Sequence, residues 1–164
     1  MTELPTYILE RSFDAPRELV WRTWTDPDLV HRWYGPGVET VIHRMDVAPG
    51  GLWLTEMKMG GGSGYQRVEY LEVEVPEKLV WLHSTADAEW NVAANPMMPD
   101  WPKTLLTTVT FAVNGPRTDL RLTWVPHEAS DIEIACFAGA IEGLDRGWGS
   151  GMEKLAELLR ELQG

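Results

Sequence analysis

Between Thr6 and Phe13 the chain is rich in β-forming residues, and Tyr7, Leu9, Arg11 and Phe13 fall on one face of a strand, with Phe13 turned inward. Asp14-Ala15-Pro16 then sets a capping side chain and a proline ahead of Glu18-Leu19-Val20-Trp21, which predicts a short helix. The same start signal recurs at Thr25-Asp26-Pro27, so Leu29, Val30 and Trp33 form the apolar side of a second short helix ending near Tyr34-Gly35-Pro36. From Val38 to Val125 the pattern changes to short apolar runs broken by turn signals, the mark of antiparallel strands rather than of alternating strand and helix. Strands are expected near 38–47, 51–58, 65–75, 78–84, 104–113 and 118–126, with tight turns at Pro49-Gly50-Gly51, Pro76-Glu77-Lys78 and Asn114-Gly115-Pro116. The Gly60-Gly61-Gly62-Ser63-Gly64 run has a linker's composition, but its length suits a hairpin better than a domain boundary.

The segment between His83 and Lys103 is too long for an ordinary hairpin, yet it carries Trp90, Met97, Met98 and Trp101 among prolines. Two readings stand: a functional cover, or a loop that tucks its own aromatics onto the core edge. Beyond it, Phe137, Ile141, Leu144, Trp148, Met152, Leu155, Leu159 and Leu162 recur at steps of three and four, with charged residues between them. This spacing predicts a long amphipathic helix from Asp131 to Leu162, capped by Ser130 or Asp131. Gly139, Gly143, Gly147, Gly149 and Gly151 crowd its first half, at about 1 kcal/mol each relative to alanine. Close approach to the sheet or a ligand would account for them, as would a bend near Trp148.

A length of 164 residues suits one domain, 1–164, with one substantial core. A hydrophobic fraction of 44% with nine tryptophans requires a large packed interior. The net charge of −11, with no cluster of Lys or Arg, argues against nucleic acid as a partner. It also opposes an anionic membrane surface, and no apolar run approaches the roughly 20 residues of a spanning helix. The opening MTELPTYILERSFDAP lacks the basic start and apolar stretch of a secretory signal. The lone Cys136 can form neither an internal disulfide nor a thiolate-rich zinc site, so it is read as a small buried helix residue and the expected compartment is the cytoplasm.

Candidate chemistry is sparse. His43, His83 and His127 lie on or near strands, where Asp46 or Glu69 across the sheet could complete an acid/base pair, while His31 sits on a short helix at the surface. No HxH, HExxH or CxxC spacing occurs, so no metal is expected. Gly62-Ser63-Gly64 lacks the flanks of a hydrolase elbow, Cys136 has no basic neighbour in sequence, and the phosphate-loop pattern is absent. No cofactor is expected.

Strand, two short helices, a six-stranded meander and a long last helix together resemble the START/Bet v 1-like (SRPBCC) helix-grip superfamily. The order and spacing of Arg11-Ser12-Phe13-Asp14-Ala15-Pro16, Val20-Trp21, Thr25-Asp26-Pro27 and Arg32-Trp33-Tyr34-Gly35-Pro36 resemble the opening of the AHSA1 family, whose name comes from the activator of Hsp90 ATPase. Asp46, Pro49-Gly50-Gly51-Leu52-Trp53, Val75-Pro76-Glu77-Lys78-Leu79, Thr108-Val109-Thr110-Phe111 and Gly147-Trp148 continue the resemblance in order, from about Tyr7 to Leu162. It implies an α+β helix-grip fold, a curved antiparallel sheet of about seven strands around a long C-terminal helix with two short helices after the first strand. It also implies a cavity between sheet and helix, in a family whose members bind hydrophobic ligands or have no assigned role. Eukaryotic relatives act on Hsp90, which attaches a stress-response and chaperone-partner expectation, although no counterpart of their separate N-terminal domain is found in this sequence.

The dispersed aromatics decide the functional reading. Trp53, Tyr65, Trp81, Trp101, Trp124, Phe137 and Trp148, with His83, Ile141 and Leu144, are the candidate ligand-lining residues, giving a cavity apolar faces and a few N–H or O–H handles. The expected function is binding of a small hydrophobic molecule without catalysis. The alternatives are an enzyme of cyclase or hydrolase type using a pocket His and carboxylate, and an Hsp90-type chaperone-binding module. A homodimer through a sheet edge or the Trp-bearing loop stays open.

Overall fold

The computed structural model describes residues 4–35 and 38–164. In chain order the elements are β1 (Tyr7–Phe13), α1 (Arg17–Thr25), α2 (Pro27–Trp33), β2 (Glu39–Met45), β3 (Leu52–Met59), β4 (Gly62–Glu74), β5 (Lys78–Ala86), β6 (Thr104–Asn114), β7 (Arg117–Pro126) and α3 (Asp131–Gln163). The strands form one seven-stranded sheet in the order β1-β7-β6-β5-β4-β3-β2, antiparallel throughout. This is the α+β helix-grip arrangement. The turn signals sit where strands reverse, and Gly62, Ser63 and Gly64 lie inside the β3–β4 hairpin, paired with Met59, Lys58 and Met57. The stop signal for α2 acts at Tyr34 and Gly35, and Pro36 lies outside the described residues.

β1 and β2 are the two edges of the sheet, so the chain that joins them has to cross its concave face. α1 and α2 are that crossing. Asp26 caps α2 by accepting from the Asp28 N–H, and Pro27 occupies its first turn. Their apolar sides bury Val20, Trp21, Trp24, Leu29, Val30 and Trp33 against one end of the sheet. Trp24 is the hub, with ring centroids 6.1 Å from Phe111 and 6.3 Å from Trp81. The inward faces of the strands supply the remainder, including Leu9, Phe13, Val68, Tyr70, Leu79, Val109, Leu120 and Leu122, all buried.

Ser130 is the cap of α3: its hydroxyl accepts from the Glu133 N–H while the Glu133 carboxylate accepts from the Ser130 N–H. The two halves of this helix pack differently. Gly151, Met152, Leu155, Leu158 and Leu159 are buried against the short helices and the sheet, whereas in the first half only Phe137 is. Polar tethers hold that first half at its flanks: the Tyr7 hydroxyl donates to Asp145 Oδ1 at 2.8 Å, and Lys103 pairs with Glu133 at 3.2 Å. Cys136, expected to be buried, is only half-buried there.

Two glycines show opposite constraints. A Cβ on Gly51 would stand 2.1 Å from the Asp46 carbonyl oxygen, whereas one on Gly143 meets nothing within 4 Å. Gly51→Ala is therefore expected to cost about 1–3 kcal/mol through backbone displacement, and Gly143→Ala to gain about 1 kcal/mol of helix stability. Urea unfolding midpoints of the two variants check both signs.

Candidate functional site

Because α1, α2 and the second half of α3 fill one end of the concave face, the other end stays open. A cleft of about 500 Å³ lies there. Its floor is the inward-facing end of the strands, with Met57, Gln66, His83, Thr85, Leu105 and Trp124. Trp33, Tyr34 and Gly35 at the end of α2 form the inner wall. Leu144 and Trp148 with Gly143, Gly147, Ser150 and Gly151 on α3 form the roof, and Asn95, Trp101 and Pro102 of the β5–β6 loop close one side.

The glycines of α3 differ in their surroundings. Cβ atoms on Gly139, Gly143 and Gly147 would meet open space, so these positions are not points of close helix–sheet approach; Gly143 and Gly147 are cleft wall. Gly149 and Gly151 do sit against other elements, with Arg11 Nη2 of β1 3.6 Å from the Cβ position of the first and Trp33 Cε3 3.8 Å from that of the second.

Of the residues singled out from the sequence, His83, Trp101, Trp124, Leu144 and Trp148 line the cleft. The others do not. Trp53 and Trp81 face the same side of the sheet, but at the plugged end, where Tyr34 lies 5.0 Å from Trp53 and Trp81 packs 6.0 Å from it, ring to ring. Phe137 is fully buried, packed 5.5 Å from Trp101. Ile141 is half-buried against the core. Tyr65 points to the opposite face from its neighbour Gln66 and packs edge-on against Trp90 at 5.3 Å. Of the long loop's aromatics, Trp90 lies on the outer face beside Tyr65 and His43, and Trp101 reaches the cleft.

The histidines also separate. His43 Nε2 lies 2.8 Å from Glu56 Oε1, and the Ser63 hydroxyl donates to the other oxygen of the same carboxylate, but this group is on the outer face, away from the cleft. His127 is near Glu128 at 4.0 Å outside the cleft, and His31 is exposed. Only His83 is in the cleft, and its partner is neither Asp46 nor Glu69 but the Gln66 side-chain oxygen, 2.7 Å from His83 Nε2. The Trp124 ring stands edge-on to the imidazole at 5.3 Å. Its other nitrogen, Nδ1, is buried with no partner among the described residues. Burial in these apolar surroundings pushes the His83 pKa down from its ordinary 6.5 to about 4. Burial likewise raises the Tyr34 phenol, keeping it protonated.

No group of three or more His, Cys, Asp or Glu among the described residues is placed to hold a metal ion. No helix among them is long and apolar enough to cross a membrane.

The family follows from comparison. The profile described as "Activator of Hsp90 ATPase homolog 1-like protein" matches residues 14–160. The chain belongs to the AHSA1 family. The fold is similar to the crystal structure of a Mycobacterium smegmatis protein, with TM-score 0.76, 22% identity and 96% of each chain covered. It is similar also to the solution structure of an Arthrobacter aurescens protein, with TM-score 0.77 and 20% identity over 95% of this chain and 86% of that one. A Nitrosomonas europaea protein matches with TM-score 0.74 and 22% identity over 96% of each. At these identities the AHSA1 chain shares a fold with them and nothing more is carried over. No curated protein matches its sequence.

Sequence reasoning missed Trp33, Tyr34, Met57, Gln66, Thr85, Asn95 and Leu105 as cleft residues. Gln66 was within reach, because it stands two and four residues before the inward Val68 and Tyr70 on a strand of period two.

The depressed His83 pKa gives a signed prediction. Above about pH 6.5 the imidazole is neutral in both folded and unfolded chains; between 6.5 and 4 only the unfolded chain takes up the proton, so stability falls as pH falls through that window. Denaturant titrations at pH 7 and 4 should show the native protein losing about 3 kcal/mol more than His83→Leu. Parallel losses would refute this origin.

Proposed function

We propose that this AHSA1-family protein binds a small, largely apolar molecule in the open end of its helix grip, with no chemical step. The observation that carries the reading is the space beside Gly143 and Gly147, walled by Trp124 and Trp148 and close to the volume of ordinary small-molecule sites. A helix half that gives up about 1 kcal/mol per glycine to leave room is better explained by an occupant than by core packing.

The chemistry of His83 favours binding over catalysis. An imidazole whose conjugate acid has a pKa of about 4 holds no proton to give at neutral pH and is a weak base, and its Gln66 partner cannot stabilise an imidazolium as a carboxylate would. Of the two His–carboxylate pairs among the described residues, the hydrogen-bonded one, His43 with Glu56, lies on the outer face, and His127 with Glu128 lies outside the cleft. On this reading the chain works as one domain holding its ligand between sheet and helix.

Thermal unfolding against a panel of apolar small molecules tests the proposal. A ligand at 100 times its Kd stabilises the folded state by about 2.7 kcal/mol, which for a chain of this size is a rise of roughly 5–10 °C. Gly147→Leu places a side chain in the cleft without removing a contact, so it should fold and lose the shift. No shift with any compound, or an undiminished shift in Gly147→Leu, would refute the proposed site.

A further inference from the structure

Among the described residues the cleft wall carries no formal charge: no Asp, Glu, Lys or Arg of these lines it, and His83 is neutral at pH 7. An ion entering it would exchange hydration for a surface with no counter-charge, at a cost of several kcal/mol, and an anion would also meet a protein of net charge −11.

The rings are set at steep angles to one another. Trp124 and Trp148 stand 5.4 Å apart at 78°, and Tyr34 and Trp148 stand 6.4 Å apart at 73°. A flat ring in such a corner stacks on one face and meets the edge of the next, the two arrangements aromatic pairs prefer.

Among the polar groups, Gln66 is set apart by how it is held. Its oxygen accepts from His83 Nε2, which fixes the imidazole proton on that nitrogen and turns the amide; the amide nitrogen has no protein partner among the described residues. The Gln66 NH2 is left as a donor at the cleft floor, and a donor of this kind matches an oxygen acceptor.

We infer that the ligand is an uncharged, flat aromatic molecule bearing a hydroxyl or carbonyl oxygen, and that Gln66, held in place by His83, recognises that oxygen; this rests on the small-molecule reading of the cleft. Four probes separate the alternatives by tryptophan quenching at pH 7.5: 2-naphthol, 2-naphthoate, trimethyl(2-naphthyl)ammonium and 1-decanol, with naphthalene as the reference that lacks the oxygen. Expected is 2-naphthol binding at least about tenfold more tightly than either ion. Gln66→Met should weaken 2-naphthol by about tenfold while leaving naphthalene within about twofold, the worth of one hydrogen bond in a dry site. Equal or tighter binding of either ion overturns the inference, as does a Gln66→Met variant that binds 2-naphthol unchanged. Should that variant fail to fold, the comparison of naphthol with the two ions in the native protein still decides. Binding of 1-decanol without 2-naphthol would leave the small-molecule reading intact and overturn the aromatic class. Failure of all the probes would overturn both.

Discussion

The pairing of β1 with β7 is the constraint from which the molecule follows. It sends the first strand to one edge of the sheet while β2 takes the other, so the next stretch of chain must traverse the concave face. Two short amphipathic helices are an economical way to make that crossing, because each satisfies its own backbone and each turns tryptophans into the sheet. Once they are seated they fill one end of the concave face. α3, which leaves β7 at the opposite end, has a floor of packed side chains only for its second half. The cleft is therefore a remainder set by topology, and side chains decide its chemistry.

That remainder has energetic marks. The Trp33 indole donates to the Thr23 carbonyl at 2.7 Å, but those of Trp24, Trp53, Trp81 and Trp124 have no partner among the described residues, nor does the Tyr70 hydroxyl. Each unpaired buried donor costs about 1–3 kcal/mol, and the α3 glycines add to it. Burial of large aromatic area has to offset these costs.

Element order was legible in the sequence because local signals are local: caps, prolines and a period of two or three to four place each strand and helix without knowledge of its neighbours. Ser130 with Glu133 is an example, a reciprocal cap readable from four residues. The cleft was only half legible. Trp53, Trp81 and His83 all face the concave side, yet only His83 lines the cleft, because the difference between them is which end α1 and α2 occupy. Tyr65 was misplaced by one step of strand parity, and Gln66 beside it was passed over because it is polar and has no motif. The glycines were noticed, but not which of them approach a neighbour: Gly149 and Gly151 lie beside Arg11 and Trp33, whereas Gly143 and Gly147 border the open space of the cleft.

The pairing of His83 with Gln66 rather than with a carboxylate sets the electrostatic character of the whole site. A carboxylate at position 66 would have given the imidazole a reason to hold a second proton, and with it a buried ion pair that must be compensated for two desolvations. An amide asks for one neutral hydrogen bond, keeps the tautomer defined, and leaves the floor of the cleft without charge. In the proposed role as a ligand site, such a wall would discriminate by exclusion: an ion is better solvated outside, while an uncharged guest loses little by entering. Selectivity of this sort requires no dedicated contact to the rejected molecule. It is also sensitive to single substitutions, since one ionisable side chain on the floor would reverse its sign.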